Sequence, residues 1–323
     1  MNSRQKAKQW PFARHKEFSS ALRKSAANWF KDKGFITHPK MPYCLSDEGL
    51  VGSEQKWKRN IILKEVAEYI EMQSNVAKKK KISFPLHKYL HHGMSSQGMA
   101  FNLIGPLILR GDYSPLAALL KSKNVYGADD ITEAIFEYQD PVNRFNEDAG
   151  QPTSIDIVLN NSQGDSIIFI ESKFEEREFG GCSVFKDGDC DGRNPIGNLD
   201  SCYLHFIGRQ YWNMMEQNEI TSSLRKDHLC IFMAHYQFFR EFLLAIEKGG
   251  TFVLLSDERS PVFKCKSDNG TEKGLLPFLT ELLPDNLRSK VASITIQELV
   301  AEIEKQNIHG DWIFDFKRKY GMT

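Results

Sequence analysis

Two neighbouring segments decide the fold of this chain: Ser154-Ile155-Asp156-Ile157-Val158-Leu159 and Ile167-Ile168-Phe169-Ile170-Glu171-Ser172-Lys173. Both are rich in β-branched residues, and the Gln163-Gly164 pair between them is typical of a hairpin turn. A turn at that point places Asp156 directly opposite Glu171, and Lys173 projects from the same face as Glu171. Because apolar residues occupy both faces, we expect the hairpin to lie in the centre of a sheet that is covered on both sides.

The opposed carboxylates indicate a cation site. Two like charges that face each other near an apolar core destabilise the strand pair unless a positive charge lies between them. Lys173 supplies one such charge, and a divalent cation would supply more. Carboxylate oxygens with open coordination positions suit Mg²⁺ or Mn²⁺ better than Zn²⁺. The alternative is a salt bridge at a strand end, but the apolar surroundings favour Asp156, Glu171 and Lys173 as catalytic residues.

The hairpin belongs to a longer pattern of helix, three strands, helix and strand. Apolar residues first recur with helical spacing behind an N-cap at Ser95 or Ser96, and the period then changes from 3.6 to 2. The predicted elements are a helix at Ser95–Leu109, strands at Ile131–Gln139, Ser154–Asn161 and Ser166–Phe174, a helix at Tyr203–Glu216 and a strand at Leu229–Ala234. Outside this core, the pattern predicts helices near residues 20–30, 58–72, 238–248, 275–283 and 297–306, and strands at 251–255 and 293–296.

This order of elements, with the spacing Asp156-x14-Glu171-x-Lys173, resembles the PD-(D/E)xK nuclease superfamily, the fold of many restriction endonucleases. The stretches 92–97 and 101–107 also look like a bacterial subgroup of restriction-endonuclease-like proteins, and the resemblance covers roughly residues 85–235. It implies an α/β protein built as an αβα sandwich, with an αβββαβ core and a mixed sheet. A helical N-terminal extension and an α/β C-terminal extension would flank that core.

The resemblance also implies a function, the metal-dependent cleavage of DNA in a defence or repair role. Asp156 and Glu171, with the main-chain carbonyl of Ser172, would hold Mg²⁺ or Mn²⁺. Lys173 would orient the attacking water and stabilise charge on the phosphate. Two rival functions stay open, a catalytically inactive DNA-binding module with the nuclease fold and a protein-interaction subunit without nucleic acid. The sequence also leaves open whether the chain forms a homodimer.

Two departures from the superfamily pattern concern the site. Ile155 stands where the motif's name has proline, and the helix Ser95–Leu109 carries no acid that could serve as an additional metal ligand. An amide oxygen on the same helix or an acid on the first strand could take over that accessory role, although each of these side chains could equally belong to a solvated surface. The accessory candidates are Gln97, Asn102, Glu133, Glu137 and Gln210.

Charge is unevenly spread, although the net charge is zero. Residues 1–90 hold 19 lysines and arginines against 8 acids, whereas residues 127–200 hold 17 acids against 5 bases. Such a pattern is typical of a protein that holds a polyanion with one part and metal ions with another, the alternative being two unrelated solvated surfaces. We therefore divide the chain into a basic helical region at 1–90 and a nuclease-like domain at 91–323. The predicted DNA-binding residues are Lys56, Lys58, Arg59, Lys78, Lys79, Lys80 and Lys81.

A second metal site is suggested by three cysteines and a histidine. Cys182, Cys190, Cys202 and His205 lie within 24 residues and offer the donor types of a structural Zn²⁺ site. They contain no CxxC pair, which is the spacing that usually marks such sites. Free or buried thiols are therefore the alternative.

Composition excludes several classes of protein. Hydrophobic residues make up 41% and charged residues 26%, which excludes a disordered chain or a coiled coil. No apolar run approaches the roughly 20 residues that a membrane span needs. Six cysteines in 323 residues are too few for a disulfide scaffold. The stretch 1–6 leads into no apolar segment, so we expect no secretory signal, a cytoplasmic location and no membrane partner.

Overall fold

The N-terminal part of the chain is helical and contains one small hairpin. The computed structural model describes residues 11–52, 54–148, 152–267 and 270–322, so residues 1–10 of the basic region lie outside it. The elements are helix α1 (His15–Asp32), strands β1 (Thr37–His38) and β2 (Met41–Leu45), a 3₁₀ turn at Lys56–Asn60 and helix α2 (Lys64–Lys80). Both helices expected here are present. The second one runs longer than its apolar pattern indicated, because Lys78, Lys79 and Lys80 form its last turn.

Two more helices lead to the sheet, α3 (Ser96–Arg110) and α4 (Ser114–Ser122). The predicted N-cap is confirmed, since the Ser95 hydroxyl accepts a hydrogen bond from the Gly98 amide at 3.1 Å. α3 is buried over most of its length and packs closely on α2. A Cβ at Gly105 would lie 2.6 Å from Val66 Cγ1, so glycine permits this close approach. α3 therefore forms the central helix beneath the sheet.

The strands that follow form the predicted mixed sheet. They are β3 (Glu133–Gln139), β4 (Ser154–Asn160), β5 (Ser166–Lys173), β6 (Thr251–Ser256), the small pair β7 (Cys265–Lys266) and β8 (Glu272–Lys273), and β9 (Val291–Thr295). Within the described residues the central sheet has the order β3-β4-β5-β6-β9. The first three strands are antiparallel, and β5, β6 and β9 run parallel. Val158 pairs with Phe169 and Ile157 with Ile170, so the predicted hairpin register is confirmed and Asp156 stands one step further, opposite Glu171.

Helices cover both faces of the sheet and complete an αβα sandwich. The remaining helices are α5 (Ser183–Lys186), α6 (Tyr203–Phe206), α7 (Tyr211–Gln217), α8 (Ile220–Leu224), α9 (Ile231–Ala234), α10 (Tyr236–Glu247), α11 (Leu275–Glu281), α12 (Asp285–Arg288), α13 (Ile296–Lys305) and α14 (Gly310–Tyr320). One apolar core contains Ile157 and Ile170 with side chains of α1 to α4, α13 and α14. The other contains Val158 and Phe169 with side chains of α6 to α11. No helix of the described residues is long and apolar enough to cross a membrane.

Two predicted core elements are wrong. The segment 203–216 is not one helix, because Gly208 adopts a φ of +88° between α6 and α7. The segment 229–234 is not a strand but contains the short helix α9. A short apolar run fits the helical period of 3.6 and the strand period of 2 equally well, so its sequence does not distinguish a helix from a strand. The second helix and fourth strand of the αβββαβ core are instead α10 and β6, which the sequence had placed in the C-terminal extension. The final helix α14 was not predicted.

Candidate active site

The predicted trio lies in the middle of the sheet, on the face that α10 covers. In the parallel pairing of β5 with β6, Glu171 is adjacent to Leu254 and Lys173 to Ser256. Both residues therefore lie inside the sheet and not at its edge. Glu171 is 2% exposed and Lys173 is 6% exposed, and Lys173 Nζ lies 2.6 Å from Glu171 Oε1. A buried ion pair at this position is unlike the exposed salt bridge at a strand end that the sequence left as an alternative.

Asp156 is held against the backbone of β5. Its Oδ2 accepts a hydrogen bond from the Ser172 amide at 2.9 Å, so the carboxylate spans the gap between the two strands. The side chain of Ser172 is buried, and its Oγ has no hydrogen-bond partner among the described residues. Asp156, Glu171 and the backbone at Ser172 are therefore brought together, as the sequence predicted.

Gln237 on α10 connects the two charged residues of β5. Its side-chain nitrogen donates to Glu171 Oε1 at 2.8 Å, and its side-chain oxygen accepts from Lys173 Nζ at 2.8 Å. The same oxygen accepts from the Gly180 amide at 3.2 Å. Sequence reasoning missed this residue, because α10 had been assigned outside the core.

Glu241, one turn further along α10, adds another carboxyl group to the site. It is 2% exposed, and its Oε2 has no hydrogen-bond partner among the described residues, which is also true of Glu171 Oε2. Unpartnered buried carboxylate oxygens are costly unless another group binds them. The only sequence signal for this pair was the four-residue spacing from Gln237, which places both side chains on one helix face.

Glu137 on β3 extends the row of acids to a third strand. The β3–β4 register sets Phe136 against Ile157 and Tyr138 against Ile155, so Glu137 stands opposite Asp156. Its φ of +53° is uncommon for a residue other than glycine and turns the side chain toward α3.

Of the predicted accessory residues, Gln97 reaches Glu137. Its Nε2 donates to Glu137 Oε1 at 2.6 Å. Glu133 binds Asn160 Nδ2 at 2.8 Å, at the other end of the β3–β4 pair, and Asn102 binds the Ile62 amide and Tyr320 within the core. Gln210 donates to the Gly208 carbonyl at 2.8 Å, away from the trio. The structure thus brings Gln97 and Glu137 to the site and leaves the other three candidates outside it.

The acids share one electrostatic property, which is a raised pKa. Burial raises the pKa of Asp156, and the Glu171 carboxylate raises it further against the lowering effect of Lys173. Burial and then the Glu241 carboxylate raise the pKa of Glu171. Burial raises the pKa of Glu241 to about 7, and burial with the Asp156 charge raises the pKa of Glu137 to about 8.

The pKa of Lys173 is shifted upward, which keeps its ammonium group charged. Burial on its own lowers the pKa of an ammonium group, but the carboxylates of Glu171, Glu176 and Glu241 outweigh that effect and raise the pKa of Lys173. The site therefore combines an ammonium group that is held in its charged form with four carboxyl groups whose raised pKa values favour proton uptake. A divalent cation could replace those protons.

A cavity of about 350 Å³ opens beside the trio. Ser154, Gln237, Arg240 and Glu241 line it together with the glycines at 180 and 181. Arg240 lies 2.9 Å from Glu147 Oε1 and donates to Thr153 Oγ1 at 2.9 Å. The cavity gives a ligand access to the α10 side of the site.

The predicted DNA-binding residues fall into two groups. Lys56, Lys58 and Arg59 are paired with the carboxylates of Asp47, Glu71 and Glu54 at 2.8, 2.6 and 2.8 Å. Within the described part of the chain, Lys78, Lys79, Lys80 and Lys81 have no ion pair. Lys80 and Lys81 line a groove of about 650 Å³ that follows the edge strand β3 past Glu137. Lys80 and Lys81 thus lie on the same groove as one of the site's acids, whereas Lys78 and Lys79 are not part of its lining.

The predicted zinc ligands come together only in part. Cys182, Cys190 and Cys202 line one cavity, and Cys230 lines it as well, although it was not among the predicted ligands. His205 is not part of that lining, and its Nε2 lies 3.9 Å from Asp200 Oδ1.

Comparisons with known proteins identify a family. Neither the curated proteins nor the solved structures yielded a significant match. A family model described as restriction endonuclease associating with ARP matches residues 23–321. The matched span runs from within α1 past the end of α14 and includes every residue of the site described above. The chain therefore belongs to this restriction-endonuclease-like family, restriction endonuclease associating with ARP.

Proposed function

We propose that this chain is a metal-dependent deoxyribonuclease of the PD-(D/E)xK type. The observation that carries the proposal is the arrangement of Asp156, Glu171 and Lys173 on adjacent central strands, with Glu171 and Lys173 buried and Asp156 half-buried. Family membership supports a nuclease-like fold. The geometry of the trio adds the chemical groups that phosphodiester hydrolysis requires.

The donor set fits a hard divalent cation. Asp156, Glu171 and the main-chain carbonyl of Ser172 would hold Mg²⁺ or Mn²⁺, which prefer such oxygen ligands. The unpartnered Glu171 Oε2 and the raised pKa values of the acids are what a site built for a cation would have before the cation binds. When bound, the ion would lower the pKa of a coordinated water and polarise the phosphate.

Lys173 would act on the attacking water and on the phosphate. Its ammonium group is charged, buried and already positioned by Glu171 and Gln237. A fixed positive charge in a site with little water stabilises negative charge that develops on phosphate oxygens far better than a solvated one does. Lys173 is therefore the residue whose loss should affect cleavage more than binding.

DNA would be held mainly by groups outside the trio, because the acids repel phosphate before a cation binds. Lys78, Lys79, Lys80 and Lys81 end α2 beside the groove that passes Glu137, which suits them for phosphate contacts. Lys56, Lys58 and Arg59 remain proposed DNA-binding residues, although each must first leave an acidic partner.

A nicking assay tests the proposal. Supercoiled plasmid is incubated with the chain in Mg²⁺, in Mn²⁺ and in chelator, and Asp156→Asn and Lys173→Met are compared with wild type. We expect cation-dependent nicking that each variant reduces by about 10²-fold or more. Asp165→Asn is the matched control, because it makes the same change in the exposed turn of the same hairpin and should retain full activity. Nicking that survives Asp156→Asn would contradict the proposal.

A second candidate function, an interaction subunit without cleavage, is favoured by the family's description as associating with ARP. The same assay separates the two. If the wild-type protein binds duplex DNA but does not nick it in Mg²⁺ or in Mn²⁺, the result supports a binding module. If it neither binds nor nicks DNA, the result supports the interaction subunit.

A further inference from the structure

Four of the chain's six cysteines converge on one cavity, although they come from separate segments. Cys182, Cys190 and Cys202 belong to the long connection after β5, and Cys230 directly precedes α9. Together they line a cavity of about 420 Å³. Cys182 and Cys230 are buried, whereas Cys190 and Cys202 are half-buried. The other two cysteines, at 44 and 265, lie elsewhere.

Hydrogen-bond donors point at the sulfur atoms of three of these cysteines. The Gly192 amide donates to Cys190 Sγ at 3.4 Å, and the Met233 amide donates to Cys230 Sγ at 3.3 Å. Trp212 Nε1 donates to Cys202 Sγ at 3.3 Å. A neutral thiol is a weak acceptor, whereas a thiolate bound to a metal accepts such bonds strongly. Two of these donors are backbone amides and the third is an indole N–H, and all three would stabilise sulfur atoms that a metal ion holds as thiolates.

We propose that Cys182, Cys190, Cys202 and Cys230 together hold a thiolate-ligated metal centre. Four cysteine ligands are the donor set of structural zinc sites and of iron–sulfur clusters, and they exclude hard cations such as Mg²⁺. The tertiary structure changes the ligand set that the sequence indicated, since Cys230 takes the place of His205.

The sulfur spacing bears on which metal is bound. A single tetrahedral zinc with Zn–S bonds of about 2.3 Å holds its sulfur atoms about 3.8 Å apart. Among the described residues, a set of three donor atoms within 4.8 Å of one another occurs at Cys44, His91 and His92, and not among the four cavity cysteines. Zinc would therefore have to draw the four sulfurs together. An iron–sulfur cluster, whose iron and sulfide atoms lie between the thiolates, accommodates a wider spacing.

The centre would tie the long connection to the helix that carries Gln237. The Cys182 amide donates to the Met233 carbonyl at 2.9 Å, and the Cys230 amide donates to the Gly192 carbonyl at 2.9 Å. Two residues before Cys182, the Gly180 amide binds the Gln237 side chain. Metal binding would thus stabilise the backbone that leads to the candidate active site, but the proposal itself does not depend on nuclease activity.

Metal analysis of the full chain tests the proposal. The protein is purified with and without exclusion of air, and zinc, iron and acid-labile sulfide are measured per chain. We expect either one zinc, or iron with equimolar sulfide and visible absorbance, and the two results distinguish a zinc site from a cluster. Cys230→Ser should lose this metal. Cys190→Ser, at a half-buried position that tolerates change better, should lose it while circular dichroism reports a folded chain.

Three control variants define the ligand set. Cys265→Ser changes a buried cysteine outside the cavity, His205→Gln removes the ligand that the sequence suggested, and Cys44→Ser breaks the set of three donors with His91 and His92. All three should retain the full metal content. The proposal is overturned if the chain contains neither zinc nor iron, if Cys190→Ser and Cys230→Ser keep the metal, or if Cys44→Ser loses it.

Discussion

The side chain of Gln237 donates a hydrogen bond to Glu171 Oε1 at 2.8 Å across 66 residues of sequence. Its oxygen at the same time accepts from Lys173, so the amide is oriented with each end toward a group of complementary charge. Both charged partners are buried, and Gln237 adds a hydrogen bond to each of them besides the ion pair that joins them directly. The trio on the sheet and the helix above it therefore form one hydrogen-bonded unit.

Replacing Gln237 with leucine should loosen that unit. The change keeps the side-chain volume roughly constant but removes hydrogen bonds to a carboxylate and an ammonium group, so we expect a loss of about 2 kcal/mol in unfolding free energy. Urea denaturation measures it. Gln217→Leu, at an exposed position at the end of α7, is the matched control and should change stability by less than about 0.5 kcal/mol. Equal stability of the two variants would show that the Gln237 contacts contribute little.

The Asp156→Asn variant should lose the response to metal but not the fold. Without metal it should be at least as stable as wild type, because it removes one of two opposed carboxyl groups. Thermal melts with and without Mg²⁺ check this, since a ligand that binds only the folded state raises the melting temperature. Wild type and Asp165→Asn should gain from Mg²⁺, and Asp156→Asn should gain little. A similar gain in all three proteins would count against Asp156 as a ligand.

In chelator, Glu137 should contribute a fall in stability as pH rises from 6.5 to 8.5. Burial and the Asp156 charge raise the pKa of Glu137 to about 8, so in this range the folded chain retains a proton that the unfolded chain has released. Because the folded chain holds this proton more tightly than the unfolded chain, the free energy of unfolding contributed by Glu137 falls by an amount on the order of 2 kcal/mol over this range. Buried Lys319 acts in the opposite direction, because burial lowers its pKa well below the usual value and the unfolded chain then binds the extra proton.

The glutamine variant of Glu137 isolates that contribution. Glu137→Gln should flatten the fall in unfolding free energy between pH 6.5 and 8.5, measured by urea denaturation in chelator. Glu133→Gln on the same strand is the control, because that side chain lies at the other end of the β3–β4 pair. Mg²⁺ should also reduce the pH dependence in wild type by replacing the bound protons. The same pH dependence in wild type and in Glu137→Gln would contradict the assignment.

The four lysines at the end of α2 should govern the salt dependence of DNA binding. Each lysine that neutralises a phosphate contributes about −0.9 to the slope of log affinity against log salt, so replacing Lys78–Lys81 with glutamine should flatten the slope by that amount per contact. The loss should be similar for all DNA sequences. Replacing Lys56, Lys58 and Arg59 with glutamine is the comparison, and it should change the slope less because acids already pair with these residues. An unchanged slope in the Lys78–Lys81 variant would show that the DNA contacts lie elsewhere on the protein.

Local sequence patterns were enough to predict the β4–β5 hairpin and its register from Asp156 to Leu159, although not the bulge between Leu159 and Asn160. Strand propensity, alternation and a glycine turn act within about twenty residues, so they can be read without knowing the rest of the fold. The same holds for α3, whose N-cap Ser95 and apolar recurrence are local signals. Family resemblance then extended this correct local structure to an αβα sandwich.

Packing between distant segments determines which residues complete the candidate active site and the proposed cysteine site. Gln237 and Glu241 reach Glu171 because α10 packs on the sheet face, and Cys230 joins the other cysteines because its segment folds back on the loop at Gly192. The short apolar run at 229–234 fits a strand and a helix equally well, and its wrong assignment displaced α10 and β6 from the predicted core. Strands, turns and helix caps depend on residues that are close together in the sequence. Contacts between distant residues depend instead on which helix faces are buried, and no short stretch of sequence contains that information.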